Sequence, residues 1–177
     1  FDLPVPNYRR EEFSMLLTLA KTGFHVFGVD FNGYGFSDSH DRALSIDDDC
    51  RDVAQVCEWA KAYSDEPKLS LIGWSRGAQV ASRACGLGYL RLDRLVLYAP
   101  FWGGTDGRAA ALARRRHPVS LRRVNTIKHA AEDFLTPSNF DLTVRDTFCI
   151  RALDLDPTSP ADRFADFAAG LPTHDPT

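Results

Sequence analysis

Ser75 is the residue of this chain whose neighbours best equip it for covalent chemistry. It sits at the centre of Gly73-Trp74-Ser75-Arg76-Gly77, a G-x-S-x-G pattern. A serine hydroxyl attacks a carbonyl only when a base takes its proton and fixed donors meet the oxyanion that forms. The pattern supplies those conditions where a strand runs into it and a helix leaves it. The sharp turn then holds the serine in a strained backbone conformation, and small residues flank it because strand and helix backbones approach closely. Leu69 to Gly73 reads as that strand and residues 76–87 as that helix. Gly73 and Gly77 are the small flanking residues, with Ala78 and Ala81 extending the small face. In this geometry the backbone N–H of Arg76, at the helix N-terminus, points at the developing oxyanion. The bland alternative is an ordinary strand-to-helix turn with a capping serine.

Other groups carry weaker signals. Asp30 is either a catalytic acid or a residue fixing its own loop. Arg114-Arg115-Arg116-His117 and Arg122-Arg123 either bind an anionic head group or form a solvated helix face. Trp74 either lines a pocket or packs against the segment above it. Trp102, Phe134, Phe140, Phe148, Phe164 and Phe167 either line an acyl pocket or form apolar core. Gly33-Tyr34-Gly35 is not a dinucleotide fingerprint, because Asp38 stands at its third glycine position. Cys50, Cys57, Cys85 and Cys149 make no C-x-x-C pair and no Cys/His set with zinc spacing, so no metal is expected. Buried free thiols are the expectation for them, which points to a reducing, cytoplasmic compartment.

The elements that must position Ser75 alternate in period. Residues 9–22 read as a helix with Phe13, Leu16, Leu17 and Ala20 on one face, stopped by Gly23. Residues 24–29 form a β-rich run, followed by a Gly-rich loop from Asp30 to Ser39. A second helix spans 45–63, with Ser45 as N-cap and Asp47, Asp48 and Asp49 in its first turn, where the helix dipole favours acids. Its buried stripe is Ile46, Cys50, Val53, Val56, Cys57 and Ala60. A last strand runs from Arg94 to Ala99. Strand, helix, strand, helix, strand predicts an α/β fold: crossover units of a doubly wound parallel sheet covered on both faces. The pattern stops at Phe101. Weak helical stretches follow near 105–116, 119–135 and 140–153, and the chain ends in a loop over 171–177.

Composition excludes several classes. The chain has 177 residues, 44% hydrophobic and 25% charged, with net charge −3. No basic excess suggests a nucleic-acid partner, and no apolar run is long enough to span a membrane. The N-terminal residues lack the basic region and apolar stretch of a signal peptide. The oligomeric state is left open.

The run Gly23-Phe24-His25-Val26-Phe27-Gly28-Val29-Asp30-Phe31-Asn32-Gly33-Tyr34-Gly35-Phe36-Ser37 resembles the fourth-strand segment of α/β-hydrolases. Ser75 follows Asp30 by 45 residues, a spacing similar to the family's, and Leu95 to Pro100 looks like its sixth strand. The resemblance covers about residues 9–102 and is nearest to esterase, lysophospholipase and monoacylglycerol-lipase-like members. It implies a partial core over 1–102, a helical cap or lid over 103–170, and a loop at 171–177 leading back to a C-terminal core. It also implies a serine hydrolase that cleaves a small-molecule carboxylic ester through an acyl-enzyme at Ser75, with no cofactor. Alternatives on the same elbow are an acyltransferase, a cofactor-free peroxidase, or a non-catalytic binding relative. The family's second oxyanion donor, its catalytic acid and its histidine fall outside the matching residues, so the expectation is a piece of a longer protein. Asp106 is the acid candidate nearest the last strand. None of His25, His40, His117, His129 and His174 fits the family's chain order and placement.

Overall fold

The computed structural model describes residues 5–39, 45–100, 122–131 and 141–160. These fall into two compact units, one built from 5–39, 122–131 and 141–159 and the other from 45–100.

In the first unit the predicted helix over 9–22 divides. A 3-10 turn, Arg10–Phe13, precedes α1, Met15–Lys21. Ser14 between them is extended, and its hydroxyl accepts from the Leu17 amide, satisfying a donor that the first helical turn leaves open. At the other end Gly23 adopts φ +95, and the amides of Gly23 and Phe24 return to the carbonyls of Ala20 and Leu19. That paired closure needs a left-handed residue, which is why glycine stands there. The β-rich run 24–29 carries no regular structure, contrary to the sequence expectation. A strand exists only through ladder partners, and composition cannot supply one. Two short strands that sequence patterning did not show, β3 (Arg122–Val124) and β4 (Thr158–Pro160), pair instead. The helices α4 (Ile127–Ala131) and α5 (Leu142–Leu155) pack together between them in the chain. Of the weak helical stretches foreseen after Phe101, 105–116 lies outside the described residues, and 140–153 is realised as α5.

The second unit holds α2 (Ile46–Ser64), β1 (Ser70–Trp74), α3 (Arg76–Gly86) and β2 (Arg94–Tyr98). Ser45 and Asp48 form a reciprocal cap at the start of α2, each side chain accepting from the other's backbone amide. β1 and β2 pair in parallel, from Ser70↔Arg94 to Trp74↔Tyr98. α3 is the crossover and packs on both strands, and α2 packs on α3. The α/β expectation of parallel strands alternating with helices therefore holds. Side-chain alternation places Leu71, Gly73 and Leu97 toward α3, while Ile72 and Val96 on the opposite face are exposed. The core is Ile46, Cys50, Val53, Cys57 and Ala60 from α2 against Ala78, Val80, Ala81 and Ala84 from α3. Val56, read as part of that stripe, is only half-buried, and Asp49 takes a place in it instead.

Candidate active site

Ser75 lies between the last residue of β1 and the first of α3, with φ 50 and ψ −113. A side chain in that region of backbone space is strained by about 1–3 kcal/mol and persists only where surrounding contacts enforce it. Three backbone contacts do so. The Ser75 amide donates to the Tyr98 carbonyl at 3.0 Å, carrying the sheet's hydrogen bonding one residue past the strand. The Ala78 amide donates to the Ser75 carbonyl at 3.0 Å, opening α3. At Gly73, a Cβ would stand 2.6 Å from the Gly77 carbonyl oxygen and 2.7 Å from the Ala78 Cα, so only glycine lets the helix cross this close.

Gly77 differs from the expectation. A Cβ there meets nothing within 4 Å among the described residues. The close approach is made by its carbonyl oxygen and by Ala78, so the tight position is Gly73 alone.

The hydroxyl of Ser75 makes no capping hydrogen bond, and the residue is exposed. The bland reading, a serine capping its helix, is therefore not what the side chain does. Trp74 and Tyr98, paired across the strands, place their rings 6.4 Å apart beside it, both half-exposed.

The side chain of Arg76 turns away from the exposed elbow to α2. Its Nη2 donates to Oδ2 of Asp49 at 2.6 Å, with Asp49 fully buried and the Arg76 side chain only 19% exposed. The sequence places Asp49 in the first turn of α2, where the helix dipole favours an acid. Its place three residues after Ile46 and four before Val53, on the apolar stripe, was the signal that it faces inward. A second pair, Arg83 Nε to Asp47 Oδ1 at 2.6 Å with Nη2 to Oδ2 at 3.2 Å, ties the same two helices one heptad along α3. The hydrogen bond from Arg83 holds the Asp47 carboxyl below its ordinary value.

Asp30 belongs to the first unit and fixes its loop. Its carboxylate accepts from the Phe36 amide and its carbonyl from the Ser37 hydroxyl. Gly35, at φ +51, lies against that carboxylate and donates its amide to Asp156 at 2.6 Å. His25 is exposed. His40, Asp106, His117, His174, Trp102 and the Arg114–Arg116 run lie outside the described residues, as does the side chain of His129. None of the described helices is long and apolar enough to cross a membrane.

The chain is 35% identical over 92 residues to a human protein named Protein ABHD12B, a match covering 49% of this chain and 24% of the relative. It thus spans about a quarter of that protein's length. No solved structure matches. The family model for serine aminopeptidase, S33, matches residues 13–171, across both units and the elbow between β1 and α3, and the chain belongs to that α/β-hydrolase family.

Proposed function

We propose that this protein is a serine hydrolase that cleaves a carboxylic ester through an acyl-enzyme at Ser75. The observation that carries the reading is the strained, uncapped and exposed Ser75 between β1 and α3. In this reaction the Ser75 oxygen bonds to the substrate carbonyl carbon while its proton passes to a histidine oriented by an acid. The N–H of Arg76 donates to the oxyanion. Collapse expels the alcohol, which takes the proton, and water then releases the acid. The family's name supports a second reading, in which the scissile bond is an N-terminal peptide amide. The four free cysteines, three of them buried, support a reducing, cytoplasmic setting.

The test is labelling of the protein, expressed from its complete reading frame, with a fluorophosphonate. Wild type is labelled and Ser75→Ala is not; labelling that survives in Ser75→Ala rejects the assignment. Parallel turnover of p-nitrophenyl esters and aminoacyl anilides separates the two bond classes.

A further inference from the structure

The residue expected to supply an oxyanion donor has its charged side chain held in a second helix. Arg76 is the first residue of α3, directly after Ser75. Its guanidinium could extend into solvent at the elbow, yet it is mostly buried against α2. Asp49, which receives it at 2.6 Å, has no exposed surface at all. Two charges withdrawn from water in this way fix their separation closely, because any drift leaves both poorly solvated. Backbone contacts from β1, β2 and α3 restrain the turn. The ion pair adds a restraint that reaches the elbow through a side chain from a separate element.

We propose that Asp49 is a positioning residue: through the Arg76 guanidinium it sets the direction of the Arg76 N–H and helps hold Ser75 in its strained conformation. The proposal rests on the hydrolase reading of Ser75, and it adds to it a residue of α2 that never touches substrate. Its effect falls on the transition state, because an N–H displaced by a fraction of an ångström still admits the substrate but meets the oxyanion badly.

The neighbouring pair supplies the control. Asp47 and Arg83 link the same helices away from the elbow through more exposed side chains, so Asp47→Asn reports the effect of loosening the α2–α3 contact at a distance from Ser75. In the complete protein, Asp49→Asn lowers kcat for a p-nitrophenyl ester by about 10- to 100-fold with KM held within about threefold. Asp47→Asn leaves kcat within about twofold. Arg76→Met, which keeps the backbone donor, lowers kcat similarly, and adding Asp49→Asn to it costs less than Asp49→Asn costs in wild type, since both changes break the same ion pair. A kcat for Asp49→Asn within about twofold of wild type, or an equal fall in Asp47→Asn, overturns the proposal. Amide exchange reads the same claim without turnover. Asp49→Asn speeds exchange at Ala78, whose amide closes the elbow onto the Ser75 carbonyl, by about tenfold and spares Leu87, bonded to the Arg83 carbonyl. Unchanged exchange at Ala78 also overturns it. If Ser75→Ala turns over ester as fast as wild type while the exchange pattern holds, the hydrolase reading fails and the positioning role of Asp49 stands.

Discussion

Ser75 and Ala99 each follow the last paired position of the parallel strands, Trp74↔Tyr98, and both have positive φ, 50 and 44. Two non-glycine residues thus hold left-handed backbone at one edge of the sheet. Strain of this kind collects where a fold presents chemistry, because the surrounding structure must over-determine it. At Ser75 it turns the chain from β1 into α3. At Ala99 it redirects the chain into Pro100 beside that turn.

Ala99 gives a measurable consequence. Ala99→Gly relieves the left-handed penalty but loosens the unfolded chain, so urea unfolding shifts by less than about 1 kcal/mol. Ala99→Val adds a β-branched side chain at positive φ and destabilises by about 2 kcal/mol or more. Equal midpoints for the two variants would contradict the backbone seen at this residue.

The elbow glycines separate in the same assay. Gly73→Ala drives a Cβ into backbone atoms of Gly77 and Ala78 that no rotamer can move. It costs about 3 kcal/mol and abolishes fluorophosphonate labelling. Gly77→Ala has open space among the described residues and a helical backbone. It leaves stability unchanged or raises it by up to about 1 kcal/mol. Equal losses at both positions would show that the helix crosses β1 differently.

Acid should weaken the clamp between α2 and α3. Arg83 holds the Asp47 carboxyl below its ordinary 3.8 chiefly by hydrogen bonding. A group whose folded pKa is lowered stabilises the fold above its unfolded value, and the contribution fades as pH falls through the folded value. The loss therefore begins below about pH 4. Urea midpoints followed downward from about pH 5 fall more steeply for wild type than for Asp47→Asn. The difference is small, because both side chains are partly exposed and screened. Parallel curves would remove Asp47 from the account.

The thiols order themselves by burial. Burial pushes Cys50 up to about 11 and raises Cys57 and Cys85 as well. Cys50 also donates to the Val80 carbonyl at 3.5 Å inside the contact between α2 and α3. Cys85 is only half-buried. Iodoacetamide at about pH 8 alkylates Cys85 before Cys50 and Cys57, and urea levels the three rates. Mass spectrometry of timed digests reads the order, and early modification of Cys50 would contradict its burial.

Much of this was legible from residue order because it is local. The Ser45–Asp48 cap and the Gly23 stop each involve partners within a few residues, so residue type and spacing specify them directly. The G-x-S-x-G pattern marked Ser75, and the apolar stripe marked most of the α2 face. Only the tertiary structure decided what depends on partners distant in the chain. Phe24 to Val29 has strand-forming composition but carries no ladder, whereas Arg122–Val124 and Thr158–Pro160, with no alternation to read, pair across more than thirty residues. Asp49 looked like one of three equivalent acids in a first turn. Its burial follows from an arginine 27 residues away. Which of two elbow glycines is obligatory depends on the line along which α3 crosses β1, and that line is set by packing, which short-range patterning does not record.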